Sequence, residues 1–257
     1  MSGFYIGVDG KARKVKGVYI GVDGVARKVK KGYIGVGGVA RLGWSDVAPV
    51  FANNTWEQIA AACQSGSVPE TWAIGDQKTM TIDGVDYAID IIGKDHDEYS
   101  DGSGKAPLTF QLHDCYNLQA PMHGSAANSV GWNGCAMRKT TLPSILAKMP
   151  PEVQSCIKTV NKKTYKGNYA GTVETSADSL FLLSEAENGV RRLTSAGEGE
   201  QYAYYTDKPI KKHNGYAASH WTRSPYADTF FCYVNSQGTS VTDESDTKYY
   251  VAFAFCF

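Results

Sequence analysis

The sequence predicts an α+β domain standing behind a small array of β-hairpins, and three observations carry that reading. Residues 1–43 repeat with a spacing of fourteen, an amphipathic helix pattern opens the remainder, and strand patterns separated by long polar loops fill most of the chain beyond that helix. The charge divides at the same place. Across 257 residues the chain holds 26 basic and 26 acidic side chains, but residues 1–43 carry nine Lys/Arg against two Asp (+7), leaving −7 for the rest. Such a split points to two modules with different work.

The repeat aligns Tyr5, Tyr19 and Tyr33 in YIGVDGKARKVKGV, YIGVDGVARKVKKG and a decayed YIGVGGVARLGW. Each unit places an apolar segment before Asp9-Gly10, Asp23-Gly24 or Gly37-Gly38 and a second segment after it, which is a strand, a tight turn at positive φ and a strand. The cationic steps Arg13-Lys14, Arg27-Lys28 and Lys30-Lys31 suit an anionic partner, and they equally suit a solvated face whose lysines discourage edge pairing. A hairpin of this size buries little alone, so residues 1–43 read as an attachment or oligomerisation module. Residues 44–51 lose the period and read as a linker, and residues 52–257 as the main domain.

Within that domain Thr55-Trp56-Glu57-Gln58 is a capping-box pattern, with Trp56, Ile59, Ala60 and Cys63 on one helical face and Gly66 ending the run. Strands are expected at Lys78–Ile82, Val85–Ile92 and Leu108–Leu112, the first two joined by an Asp83-Gly84 turn. A second helical region covers Leu142–Met149. Pro151 opens a third helix with Val153, Cys156, Ile157 and Val160 on one face. Leu180–Leu183, Phe230–Val234 and Tyr249–Phe257 are apolar strands, and 184–229 is mostly loop, rich in Gly, Tyr, Ser and Lys.

Several function classes fall away. No run reaches the roughly 18 to 20 apolar residues of a membrane span, and MSGFYIGVDGKARK lacks the apolar core of a signal peptide, so synthesis in a cytoplasm without general secretory export is expected. The six cysteines (Cys63, Cys115, Cys135, Cys156, Cys232, Cys256) form no C-x-x-C pair and read as reduced, buried residues. Gly104-Lys105 has Tyr99 and Ala106 where a P-loop needs glycine and Ser/Thr, and Ser103 lacks the glycine of a nucleophile elbow. The acidic run Asp95-His96-Asp97-Glu98-Tyr99-Ser100-Asp101-Gly102 offers oxygen ligands, yet Tyr99 and Leu108 break the helical-loop calcium pattern, so a solvated loop is expected. His213 and His220 flank Asn214-Gly215 without a third metal ligand, and His113 and His123 have no partner in sequence. No cofactor and no metal are expected.

The motifs Trp72-Ala73-Ile74-Gly75-Asp76-Gln77-Lys78, Asp83-Gly84-Val85-Asp86-Tyr87, Ile92-Gly93-Lys94-Asp95-His96-Asp97, Thr109-Phe110-Gln111-Leu112, Gly131-Trp132, Met137-Arg138, Leu142-Pro143, Phe181-Leu182-Leu183-Ser184-Glu185, Trp221-Thr222-Arg223-Ser224-Pro225 and Val251-Ala252-Phe253-Ala254-Phe255 together resemble an uncharacterised domain family common in Firmicutes and their phages. That domain is similar to the C-type lectin-like fold of the formylglycine-generating-enzyme type, the fold also used by variable proteins of diversity-generating retroelements. The N-terminal repeats resemble those of phage tail and structural proteins. The resemblance implies a rigid scaffold whose last strands present a ligand-binding face. The implied contact positions are His213, Asn214, Tyr216, Ser219, His220, Thr222, Tyr226, Asp228, Thr229, Phe230, Asn235, Ser236, Thr239, Thr242, Asp243, Asp246, Tyr249 and Tyr250, a mixture rich in Tyr, Ser, Asn and His as in paratopes. Trp221, Val251, Phe253 and Phe255 read as core, and Arg223 as a satisfied structural cation.

The chain departs from that pattern in two places. Tyr250-Val251-Ala252-Phe253-Ala254-Phe255 lacks the arginine and proline of a Gly-Val-Arg-Pro-Ala-Phe-like end, and the sugar-and-calcium motifs of animal lectins are missing. The expectation is a non-enzymatic phage or prophage receptor-binding protein carried on the virion. It would bind a host-surface protein or glycan, join a virion or tail component through its repeats and form a homo-oligomer, with nucleic acid not expected as a partner. A structural virion protein is the alternative. An oxidase using Cys232 and Cys256 is less favoured, because both cysteines sit in apolar strands.

Overall fold

The computed structural model describes residues 5–15, 17–29, 31–36, 39–45, 47–127, 129–169, 171–190, 197–227 and 229–257. The repeats form three separate antiparallel hairpins: β1 (Tyr5–Val8) with β2 (Lys11–Lys14), β3 (Val18–Val22) with β4 (Val25–Val29), and β5 (Lys31–Val36) with β6 (Val39–Ser45). Asp9 and Gly10 sit at φ 52° and 72°, and Asp23 and Gly24 at 52° and 77°. Two consecutive left-handed residues make the tight turn whose twist matches that of the strands. The third turn, expected at Gly37-Gly38, lies outside the described residues.

β6 continues to Ser45, and residues 48 and 49 of the junction are bonded to the main domain. Ala48 accepts a hydrogen bond from Trp72 Nε1 at 3.1 Å and donates its N–H to Asn54 Oδ1 at 2.7 Å, while Thr71 Oγ1 donates to Pro49 O at 2.7 Å.

Helix α1 (Trp56–Gln64) begins at the expected cap: Gln58 N donates to Thr55 Oγ1 at 3.2 Å, and Thr55 N to Gln58 Oε1 at 2.8 Å. The remaining elements follow as β7 (Gln77–Ile82), β8 (Val85–Gly93), β9 (Thr109–Leu112), β10 (Tyr116–Ala120), α2 (Gly131–Gly134), a wide turn over Met137–Thr141 leading into α3 (Leu142–Leu146), α4 (Pro151–Gln154), β11 (Val160–Tyr165), β12 (Val173–Asp178), β13 (Phe181–Leu182), β14 (Lys211–His213), β15 (Tyr216–Ala218), β16 (His220–Pro225), β17 (Phe230–Val234), β18 (Ser240–Glu244), β19 (Tyr249–Val251) and β20 (Phe253–Cys256). The chain as a whole is α+β, 40% strand and 14% helix.

Two five-stranded sheets organise it, in the orders β13-β20-β9-β8-β7 and β10-β19-β16-β17-β18. Their pairings are antiparallel except that of β16 with β19. The segment expected as one strand, Tyr249–Phe257, divides at Ala252: β19 belongs to one sheet and β20 to the other. Between the first sheet and α1 lies an aromatic core. Trp56 meets Phe110 edge-on with ring centres 5.8 Å apart, Phe110 lies 5.2 Å from Phe255, and Phe51 lies 5.4 Å from Trp72.

The third helix is shorter than its apolar spacing predicts. α4 ends at Gln154, and Lys158 then pairs with Cys256 alongside β20, so Val160 starts a strand. The stretch 184–229 is also less irregular than expected, since it contains β14, β15 and the central strand β16. Among the described residues no helix is long and apolar enough to cross a membrane.

Candidate recognition face

Two aromatic clusters gather several of the sequence-predicted positions. In the first, Asn214 and Gly215 at φ 49° and 82° turn β14 into β15 and leave Tyr216 81% exposed. The His213 ring stacks on Tyr250 at 4.4 Å, and Asn214 Nδ2 lies 3.1 Å from His213 Nε2. In the second, Tyr249 stacks on Tyr233 at 4.1 Å and donates its hydroxyl to Asp243 Oδ2 at 2.7 Å. Trp221 supports this pair from inside, its ring 4.9 Å from Tyr249 and its Nε1 donating to Ala120 O at 2.9 Å. Burial and the bonds to Tyr233 and Asp243 push the Tyr249 phenol far above its ordinary pKa, so it stays a neutral donor.

The other positions lie apart. Asn235 Oδ1 accepts from Gln237 N at 2.9 Å and Thr239 N at 3.0 Å, so it shapes the β17–β18 turn, which also carries the exposed Ser236. Tyr226 stacks on Tyr169 at 5.1 Å. Thr229, Phe230 and Thr242 are half-buried, Asp246 is exposed, and the backbone of Ser219 accepts from Tyr250 N at 3.1 Å. Asp228 lies outside the described residues.

Two expected contact residues are inside the domain. His220 and Thr222 are 1% and 0% exposed. β16 is hydrogen-bonded on both edges and covered on both faces, so alternation along it exposes neither side. Thr222 Oγ1 donates to Cys232 O at 2.8 Å, and burial together with Lys211 lowers the His220 pKa to about 3, leaving a neutral imidazole. His220 therefore cannot pair with His213 around an ion at the surface. Tyr233 was missed because it lies in an apolar run. Its place opposite Trp221 in the β16–β17 register is the signal that could have found it.

The domain also buries an ionic network. Lys162 Nζ is 2.6 Å from Asp97 Oδ1 and 2.6 Å from Glu187 Oε1, with Tyr202 OH at 3.1 Å. Arg223 binds Glu187 with both terminal nitrogens and reaches Leu182 O at 2.9 Å, Glu198 O at 2.8 Å and Thr164 Oγ1 at 3.0 Å. Burial opposes every charge here, yet Lys162 holds Asp97 well below the usual carboxylate range, and Arg223 and Lys162 lower the Glu187 pKa. Arg223 is the satisfied cation the sequence suggests. Asp97 corrects the reading of its acidic run as a solvated loop, because its oxygens serve Lys162, Tyr202 and Thr109. Among the described residues no three His, Cys, Asp or Glu side chains converge as a metal site.

A second polar cluster anchors β14. Lys211 Nζ donates to Leu112 O at 2.5 Å and His113 O at 3.0 Å, and burial lowers its pKa to about 8. Beside it the buried Asp90 carboxylate accepts from Tyr204 OH at 2.7 Å and faces His113 Nδ1 at 2.8 Å. The hydrogen bond to Asp90, opposed by burial, raises the His113 pKa. This partner of His113 is 23 positions away in the chain and comes beside it only through the β8–β9 pairing.

Residues 109–257 match the family described as Domain of unknown function (DUF6273), which is more than half of the chain. The chain belongs to the DUF6273 family. The DUF6273 segment holds β9 to β20 and both aromatic clusters, but it is not a complete folding unit. β8 pairs with β9 and β7 with β8 in one sheet, so two strands outside the segment complete its core. No curated protein and no solved structure matches the chain.

Proposed function

We propose that this DUF6273 protein is a receptor-binding or adhesin protein of a phage or prophage, with a C-type lectin-like scaffold presenting a ligand-binding face and the hairpin repeats serving attachment. The observation that carries the reading is the pairing of solvent-accessible tyrosines with a fixed base. Tyr216 projects from a tight hairpin, and Tyr249 and Tyr250 stand on a strand locked between β10 and β16. Rigid amphipathic anchors next to adaptable Asn, Ser and Thr side chains suit protein or glycan surfaces at low entropic cost. An oxidase reading draws no support from its thiols: Cys232 and Cys256 are 1% and 0% exposed, and burial and nearby Asp97 push the Cys256 pKa far up.

Binding of the full chain to intact Firmicutes cells tests this reading. Saturable binding that falls at least tenfold in Tyr216→Ala/Tyr250→Ala is expected, and binding indifferent to that change, or none to any cell, sinks it. The retroelement part has its own test, population sequencing of the codons from His213 to Tyr250. Substitutions concentrated at adenine-containing codons beside a near-copy template support diversification, and an even spread removes it.

A further inference from the structure

Lys162 keeps its ion pairs out of solvent. Lys148 with Asp83 at 2.7 Å and Lys166 with Glu174 at 3.2 Å stand at the surface, whereas the side chains of Lys162, Asp97 and Glu187 are 2%, 3% and 3% exposed. The other buried lysine, Lys211, donates to the carbonyl oxygens of Leu112 and His113. Those are amide groups, which make poor acyl donors. Lys162 instead faces a carboxyl group.

The groups around its ammonium divide the work of an acyl transfer among them. Nζ lies 2.6 Å from Asp97 Oδ1, so the amine is held against the carboxyl group in one small volume. The second oxygen of that group, Asp97 Oδ2, accepts from Thr109 Oγ1 at 2.6 Å and Tyr202 OH at 2.7 Å. Two fixed donors on one oxygen stabilise negative charge that builds there when the carbon is attacked. Glu187 Oε1 lies 2.6 Å from the same Nζ and can carry a proton. Phe181 closes another side, its ring centre 4.2 Å from Nζ. Glu187 is the less apt acyl donor of the two acids, because Arg223 holds both of its oxygens.

We infer that the side chains of Lys162 and Asp97 become joined by an amide bond, with Glu187 as the proton carrier. One proton moves from Nζ to Oδ1 across their contact, leaving a neutral amine beside a carboxylic acid. Nζ attacks Cγ, the Nζ–Cγ bond forms, and the charge on Oδ2 faces Thr109 and Tyr202. Glu187 takes a second proton from Nζ and gives it to Oδ1, the Cγ–Oδ1 bond breaks, and water leaves as the Oδ2 carbonyl re-forms. One ammonium and one carboxylate thus yield one amide and one water, with no outside reagent and no change of oxidation state. Two buried charges disappear in the step, and Arg223 and Glu187 remain as a balanced pair. The dry surroundings keep out the water that would reverse it. The link ties the segment after β8 to β11 across 65 positions. It uses none of the recognition residues, so either reading can fail alone.

Mass spectrometry of the full chain, folded and then denatured, is the test. The expected mass is one water below that of the sequence, and a tryptic digest should contain a branched peptide joining the segments of Asp97 and Lys162. Lys162→Met should carry its full sequence mass, and so should Glu187→Gln. A full mass in the unsubstituted chain, with the two segments in separate peptides, overturns the inference whether or not the variants fold. A missing water that maps to an Asp-Gly step such as Asp83-Gly84, as a cyclic imide, overturns it as well. A branched peptide formed to the same extent in Glu187→Gln overturns the part given to Glu187.

Discussion

Arg223 Nη2 donates to Glu187 Oε1 at 2.9 Å, tying the centre of one sheet to the segment that leaves β13 in the other. Both side chains are hidden from solvent. Removing one partner of a buried pair leaves the other charge uncompensated, which costs about 3–5 kcal/mol. Glu187→Ala should lose stability in that range in urea unfolding, because Arg223 and Lys162 both lose an anion.

Glu198 gives the pH dependence a defined sign. Burial raises its pKa from 4.5 to about 7, against the Ser224 and Tyr165 hydrogen bonds it accepts. The folded chain keeps its proton where the unfolded chain has released it, so this group's contribution to stability falls as pH rises from about 4.5 to 7 and is flat above. Glu198→Gln should flatten the urea-midpoint profile across that window. A profile unchanged by the substitution contradicts the assignment.

The thiols should divide one against five. Cys156 alone is half-buried, whereas burial raises the pKa of Cys63 and Cys115 to about 12 and of Cys135 to about 11, and Cys232 and Cys256 are in the core. Titration of the native protein with an aromatic disulfide should find one fast thiol, and denaturation should release all six.

Tyr216 separates recognition from stability. Because it is 81% exposed, Tyr216→Ala should change unfolding free energy by no more than about 0.5 kcal/mol. Any loss of cell binding in that variant is then a loss of contact, and a large shift in the urea midpoint would show that the ring also packs.

Local signals in the sequence were legible where the physics is local. The capping box at Thr55 and Gln58 and the Asp-Gly turns, Asp83-Gly84 between β7 and β8 among them, each depend on residues within a few positions of one another. The ionic network was legible only at Arg223, read as a satisfied cation, since Asp97, Lys162 and Glu187 each look like solvent residues until the fold joins them. α4 failed for a related reason: Val153, Cys156, Ile157 and Val160 keep helical spacing, but pairing with Cys256 claims the chain at Lys158. His220 and Thr222 were placed among the contact positions by the family resemblance and are inside because β16 is a central strand. The aromatic clusters were half legible. Tyr249, Tyr250, His213 and Asp243 are among the contact positions that the resemblance implies, while Tyr233 is visible only through register.

The division of the last strands between two sheets sets two clocks in one polypeptide. Each N-terminal hairpin closes over neighbouring residues, an event of about 1–10 μs. β20 must instead find β9, setting Phe255 beside Phe110, and β19 must find β10, setting Val251 beside Tyr116. Neither sheet has its full strand order until that long-range search ends, which places the main domain among folds that take milliseconds to seconds. The repeats thus close on a clock far faster than that of the domain behind them.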